Sequence, residues 1–263
     1  MKKYLFIFKS EIMSNLHYLG NIAFGFIGCF LILFVFLNLW QYMYNDPEEM
    51  IHGYNMFQII WYIVITEIIY ISVSGRKMSK KIGEDVRGGN IAYNITRPYS
   101  YINFQLFSYL GSVFVRLLIY VILGMLTGLL FLGSFPQITI YSVLIVMLTV
   151  VFAIAIHILL IIFIGLVSFI MEDSQPLYWL YSKVILLMGV FFPLEFFPAV
   201  VQPFIKLSPV YAISYGPARL FVDFSWDLFF KVLLSQTIYL IIAYLLCLLI
   251  YRKGVKNLNV NGG

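Results

Sequence analysis

The chain has 263 residues, of which 62% are hydrophobic and 11% are charged, with a formal net charge of +5. Soluble domains carry roughly 45–50% apolar and about 25% charged residues. A folded chain of this size cannot hide so much apolar surface from water. The composition therefore excludes a soluble enzyme, a nucleic-acid-binding protein and a disordered chain. It predicts an all-α membrane protein with several spanning helices.

The first segment, residues 1–17, is too short and too polar to cross a bilayer, which takes about 20 apolar residues. Its apolar side chains recur near helical spacing, at Tyr4, Leu5, Phe8, Ile12 and Leu16. Its charged side chains Lys2, Lys9 and Glu11 are predicted to face elsewhere. This pattern favours an amphipathic helix on the membrane surface over the alternative, a solvated leader.

Six apolar segments predict six membrane-spanning helices. In chain order they are 19–42, 56–73, 106–132, 140–169, 177–192 and 232–251. The rest of the chain, from residue 18 onwards, is therefore predicted to form one transmembrane domain. The fifth segment is the weakest of the six, because it is short and contains Lys183.

The distribution of cations predicts the orientation, because Lys and Arg are enriched in cytoplasmic segments. Of the 17 cations, three precede the first span, six lie in the loop 75–105 and three lie in the C-terminal tail. Six spans place these three segments on one side. The sequence therefore predicts a multi-pass protein of the cytoplasmic membrane with both termini in the cytoplasm.

Two segments of the predicted transmembrane domain are not simple spans. In the loop 75–105, a short surface helix is predicted to end at Gly88 and Gly89, since glycine suits a helix stop. In the stretch 193–228, the prolines at 193, 198, 203, 209 and 217 break an apolar sequence into pieces too short to cross. This stretch is predicted to form short re-entrant helices on the outer face, between the fifth and sixth spans.

Motifs for covalent chemistry are missing from the sequence. It contains no G-x-x-x-x-G-K-[ST] phosphate-binding loop, and His17, His52 and His157 lack the spacing of metal ligands. No nucleophile motif of the G-x-S-x-G kind is present either. We therefore expect that the chain catalyses no covalent reaction and binds no cofactor or metal itself.

Two stretches resemble the permease subunit of ABC-2-type ABC transporters, in a poorly characterised export subfamily. Residues 82–101, IGEDVRGGNIAYNITRPYSY, are similar to a loop with the pattern D-x-R-x-G-N-x-A-Y-x-x-x-x-P. Residues 192–217, FPLEFFPAVVQPFIKLSPVYAISYGP, resemble the outer re-entrant region of the same subfamily. The order of the predicted elements agrees with this family over nearly the whole chain.

The resemblance implies a coupling helix at about residues 80–94, which docks in a groove of a cytoplasmic ATPase subunit. Its polar contacts are expected from Glu84, Asp85, Arg87 and Asn90, with Ile82, Val86 and Ile91 as apolar anchors. The other interpretation of this loop is a cationic surface that binds anionic lipid.

The resemblance also implies the partners. These are a dimer of ABC ATPases, which use ATP and Mg, and a second permease subunit that is more often a different chain than a second copy. Membrane lipid surrounds the complex and no nucleic acid is involved. The expected function is export of a hydrophobic or amphipathic compound, such as a drug, an antimicrobial peptide or a lipid-like molecule.

Charged and polar residues within the spans carry further hypotheses. Glu67 and Arg116 are predicted to form an ion pair that joins the second and third spans, because an unpaired charge in a bilayer is costly. The alternatives are a role on the transport path and separate snorkelling to the surface. His157 is expected to be a satisfied polar residue between helices, or a contributor to the path. Glu195 is expected to lie at an outer gate or at the membrane interface.

A rival interpretation is a secondary transporter or channel that acts without an ATPase, with Glu67, Arg116 and His157 as an ion relay. The sequence lacks the repeat symmetry and paired broken helices that favour such a transporter. A third interpretation is a membrane-embedded assembly or immunity protein that transports nothing.

Overall fold

The computed structural model describes residues 2–44, 46, 48–73, 75–95, 97–136 and 139–261. Secondary structure in these ranges is helical, apart from one isolated antiparallel bridge between Ile51 and Tyr54. A helix satisfies its backbone hydrogen bonds within one segment, as hydrocarbon surroundings require. The predicted all-α class is therefore confirmed.

The α-helices follow one another with short connections. They are α1 (Lys2–Leu16), α2 (Leu19–Met43), α3 (Met56–Ser72), α4 (Gly75–Arg87), α5 (Asn90–Ile95), α6 (Tyr101–Leu132), α7 (Ile140–Leu166), α8 (Gln175–Ile185), α9 (Gln202–Lys206), α10 (Gly216–Val222) and α11 (Trp226–Asn261). Two 3-10 segments, Val167–Phe169 and Leu194–Phe196, and two π-helices, Leu186–Phe191 and Tyr211–Tyr215, complete the chain. Capping boxes at Asn55 and Thr139 fix the starts of α3 and α7.

Five helical segments in the described ranges are long and apolar enough to cross a membrane. They are Leu19–Met43, Met56–Arg87, Tyr101–Leu132, Ile140–Phe169 and Trp226–Lys256. They coincide with five of the six predicted spans. The predicted fifth span, 177–192, is not among them. Its 11-residue helix α8 passes into a 6-residue π-helix, and the two together are shorter than each of the five segments.

The two ends of the segment formed by α8 and its π-helix contact opposite ends of the bundle. At its start, Gln175 donates a hydrogen bond to Ser79 of α4 (3.4 Å), and the Ser168 hydroxyl lies 3.0 Å from that of Ser174. At its far end, the Phe191 ring packs on Phe36 of α2 with 4.5 Å between centroids. We call the first of these the α4 end of the bundle and the second the Trp40 end, after the buried Trp40 close by.

Helix α1 packs lengthwise on the first half of α6. The Tyr4 and Phe107 rings stack 5.5 Å apart, and an alanine Cβ at Gly111 would lie 2.6 Å from the Phe8 carbonyl oxygen. Glu11 accepts hydrogen bonds from Ser108 (2.8 Å) and Ser112 (3.3 Å). The prediction that Glu11 faces away from the packed side is therefore wrong: α6 supplies the hydroxyl donors that accommodate its carboxylate.

Helix α3 lies at the centre of the molecule. Trp61, Tyr62 and Ile63 are at most 1% exposed. Helix α6 approaches α3 through two glycines, because a Cβ at Gly124 or Gly128 would overlap Ile68 or Trp61 at about 2.5–2.6 Å. The centre of this chain is thus filled with side chains.

Helix α4 follows α3 in the chain and lies against the last turns of α7. A Cβ at Gly165 of α7 would lie 2.7 Å from the Cβ of Ile82, so this glycine sets the spacing of the two helices. The helix ends where the sequence predicted: Gly88 donates its N–H to Glu84 O, and Gly89 takes a left-handed φ of +73°.

We expect Gly165→Ala to loosen α4 from α7, because the added methyl group overpacks the contact with Ile82 and such overpacking costs about 1–3 kcal/mol. The measurement is the melting temperature of purified protein, together with proteolysis at the cations of α4. Gly28→Ala on α2 is the matched control, since nothing lies within 4 Å of its added Cβ. Equal melting temperatures for the two variants would contradict the proposed packing role of Gly165.

Candidate functional site

The exposed side of α4 carries a dense set of charges at the α4 end of the bundle. Five exposed cations are Arg76, Lys77, Lys80, Lys81 and Arg87, and the exposed anion is Glu84. Glu84 lies 3.8 Å from Lys80, and both side chains are more than half exposed. Such an exposed pair contributes little to stability. Lys80 and Glu84 therefore add little to the stability of the chain, and the cationic side of α4 is exposed.

The apolar side of α4 is buried within the chain. Ile82 and Val86 of α4 are 0% and 6% exposed, and Ile91, which lies in the next helix α5, is 0% exposed. The prediction that these three side chains anchor an ATPase subunit is therefore wrong for this structure. Because α7 carries glycine where α4 approaches, α4's apolar side packs inside the chain and only its polar side faces outward.

The polar residues predicted in this loop have distinct surroundings. Asp85 accepts a hydrogen bond from the Tyr101 hydroxyl (2.9 Å), which ties α4 to the start of α6. Arg87 donates to the Glu172 carbonyl oxygen (2.9 Å), beyond the end of α7. Asn90 is exposed, and its carbonyl oxygen accepts from the side chain of Asn94 (3.0 Å). Glu84 and Asn90 are thus the members of the predicted set most available to a partner.

The structure does not bring Glu67 and Arg116 together. Glu67 is 1% exposed, and neither of its carboxylate oxygens has a hydrogen-bond partner among the described residues. Arg116 donates its Nε to the Ser112 carbonyl oxygen of its own helix (3.3 Å). The predicted ion pair between α3 and α6 is therefore absent from this structure. Glu67 is buried on α3, whereas Arg116 on α6 is half-buried and bonded to its own helix.

His157 belongs to α7 and faces Tyr181 of α8. It is 3% exposed, its ring meets the Tyr181 ring edge-on at 5.6 Å, and its Nδ1 has no hydrogen-bond partner in the described part of the chain. The expectation of a satisfied polar residue is therefore not met at Nδ1. Glu67, Arg116 and His157 share no hydrogen bond in the ranges described, so this conformation assembles no ion relay from them.

Glu195 forms the centre of a polar cluster at the Trp40 end. Its carboxylate accepts hydrogen bonds from the hydroxyls of Tyr54 (3.1 Å) and Tyr215 (2.5 Å). The Arg219 guanidinium lies over the Tyr54 ring at 4.4 Å and donates to Asp223 at 3.0 Å. The cluster joins the connection before α3 to the proline-broken stretch after α8.

Both tyrosines of this cluster act as hydrogen-bond donors. Burial first, and then the Glu195 carboxylate, raise the pKa of Tyr54 well above its ordinary value. Burial, followed by Tyr54 and Glu195, raises the pKa of Tyr215 in the same direction. Their hydroxyls therefore remain protonated around neutral pH and hold the carboxylate between them.

The two π-helices use hydrogen-bond donors that the sequence did not reveal. The carbonyl oxygens of Gly189 and Val190 accept from Tyr62 (3.0 Å) and Thr66 (3.1 Å) of α3. The buried Gln236 of α11 donates to Ala212 O (3.0 Å) and to Thr149 O of α7 (2.8 Å). Polar residues within otherwise apolar spans were the available signal. Their partners became identifiable only once the π-helices were known.

Within the described residues, no three His, Cys, Asp or Glu side chains are arranged to hold a metal ion. The molecule is instead a bundle of apolar helices with a cationic helix at one end and a proline-broken aromatic segment at the other. These features define a multi-pass membrane protein. Residues 30–262 match the family model described as ABC-2 family transporter protein, and the chain belongs to that family. No curated protein matches the chain.

We expect Glu67→Gln to leave the melting temperature unchanged or to raise it. An unpaired charge near the centre of a membrane costs at least about 2.5–3.5 kcal/mol, which the neutral amide avoids. Glu11→Gln is the matched control, and it should lower the melting temperature because Glu11 accepts two serine hydrogen bonds. A large fall for Glu67→Gln, repeated in Arg116→Gln, would instead indicate an ion pair.

We expect Glu195→Gln to destabilise the Trp40 end by about 1.5–3 kcal/mol, the usual contribution of a hydrogen bond to a charged group. The measurement is the melting temperature of this variant beside Tyr54→Phe, Tyr215→Phe and the double tyrosine variant. Asp227→Asn is the control, because the Asp227 carboxylate is exposed and pairs with the exposed Lys231. If Glu195→Gln matched the control, the cluster would have no structural role.

Proposed function

We propose that this chain is the permease subunit of an ATP-driven exporter in the cytoplasmic membrane. Separate ATPase subunits bind ATP and Mg and hydrolyse the nucleotide, and this chain supplies the membrane path. The observation that carries the proposal is α4, a cationic helix joined to the end of α3 and packed on α7. Membership of the ABC-2 family supports this assignment.

The packing of α4 suits the transmission of force. Its apolar side is fixed against α7 by the close approach at Gly165, and Asp85 holds it to Tyr101 at the start of α6. A push on the exposed side of α4 therefore acts on α3, α6 and α7 together. Because packed helices shift as units, docking of an ATPase on this side would move the membrane-spanning helices.

The proposed topology has six crossings, with α8 and its π-helix as the fifth. Contacts at the α4 end and at the Trp40 end support a crossing by this segment, despite its shorter helix. Both termini then lie on the α4 side, where the cations are concentrated. The positive-inside rule supports a cytoplasmic location for that side. Helix α1 lies at the same membrane surface.

A second permease subunit completes the path in this proposal. Helix α3 lies at the centre of the chain, where Trp61, Tyr62 and Ile63 are buried among the described residues. Transport therefore takes place between two subunits, of which the second is proposed to be a different chain. The apolar character of the helices favours a hydrophobic or amphipathic compound as the substrate.

We test coupling with Lys80→Glu and Lys81→Glu combined, which reverses two exposed cations without touching the buried side of α4. In a reconstituted complex of the permease subunits with their ATPase, we expect substrate-stimulated ATP hydrolysis to fall about tenfold, equivalent to about 1.4 kcal/mol. The cause would be charge repulsion at the docked surface. Folding should be retained, because both side chains are exposed.

Lys9→Glu is the matched control, since this exposed cation lies on α1 and outside the α4 surface. It should leave the stimulated hydrolysis unchanged. Uptake of the substrate into vesicles that contain the permease without any ATPase would overturn the proposed function. Equal activity of the control and the α4 variant would reject α4 as the coupling element.

A further inference from the structure

A groove of about 480 Å³ opens on one flank of the bundle and reaches Phe135, after the end of α6, and Phe221 of α10. Its floor is the side of α3 formed by Ile65, Ile68 and Ile69, which are at most 5% exposed. Helix α6 forms one wall from Phe114 to Met125, and α7 forms the other from Val143 to Val151. All the side chains that line the groove are apolar.

The groove continues the surface that meets the membrane hydrocarbon. Side chains at its rim are large, apolar and exposed, including Leu118 on α6 (49%) and Met147 on α7 (58%). Water is a poor occupant, because an ordered water needs two to four polar partners and the lining offers none. An empty groove would forfeit dispersion contacts along its walls. Hydrocarbon is the occupant that these walls favour.

The groove runs along the helices rather than across them. From Phe114 to Met125 it is about 16 Å long, at 1.5 Å per residue. A flexible hydrocarbon chain can follow such a groove along its whole length and touch α3, α6 and α7 together.

We propose that this groove is a binding site for one acyl chain of a membrane phospholipid. The chain lies on the buried side of α3 and fills the space between α6 and α7. It contacts all three helices at once, so it contributes to their packing as a buried side chain would. The proposal depends only on a membrane-spanning bundle, and it stands or falls independently of ATP-driven export.

The test uses the full chain in nanodiscs of phosphatidylethanolamine and phosphatidylglycerol. A small fraction of phosphatidylcholine carries a photoreactive diazirine in its acyl chain. After illumination, mass spectrometry maps the adducts. We expect adducts on residues 65–69 of α3, which lipid reaches only through the groove. Adducts on the exposed side of α6 report ordinary contact with bulk lipid.

Val121→Phe with Val150→Phe fills the groove from both walls. Adducts on 65–69 should then fall about tenfold, equivalent to about 1.4 kcal/mol of binding free energy. Ile122→Phe is the matched control, because Ile122 is next to Val121 but 61% exposed and outside the groove. Size-exclusion profiles check folding, and either single substitution replaces the double variant if that variant aggregates. Absence of adducts on 65–69 in the wild type, or their persistence in a folded filled variant, would overturn the proposal.

Discussion

The hydrocarbon surroundings impose the constraint on which the rest of this structure depends: backbone polar groups must find partners within the protein. Regular helices meet this requirement alone, whereas the two π-helices do not. Tyr62 and Thr66 of α3 donate to the first π-helix, and Gln236 of α11 donates to the second. Three polar side chains in apolar spans therefore bind irregular segments to the central helices.

Close helix packing determines the structure of the α4 end. Glycine at position 165 lets α4 approach α7 so closely that Ile82 is fully buried, and the cations are left on the opposite side. One amphipathic helix thus has a buried apolar side and an exposed charged side. In the proposed function a partner binds the charged side, where it need not disturb the packing that holds α4 in place.

Three carboxyl groups of this chain differ in their hydrogen-bond donors. Glu195 is held by two tyrosine hydroxyls that burial keeps protonated, and Glu11 is held by two serines of α6. Glu67 has no such donors in the described residues, although it is the most deeply buried of the three. Glu195 and Glu11 therefore stabilise the fold through hydrogen bonds, and Glu67 makes no such contribution within the described ranges.

The sequence by itself determined the all-α class, five of the spans, the end of α4 at Gly88 and Gly89, and the ABC-2 relationship. These depend on local properties: runs of apolar residues, glycine conformation and a loop motif. The tertiary structure alone decided that Ile82, Val86 and Ile91 face inward, that Glu67 and Arg116 stay apart, and that Tyr54 and Tyr215 hold Glu195. Such contacts depend on the rotation of each helix about its axis and on how closely two helices approach. The sequence does not fix either quantity, because hydrocarbon accepts apolar residues on every side of a helix and the apolar pattern therefore does not mark the packed side.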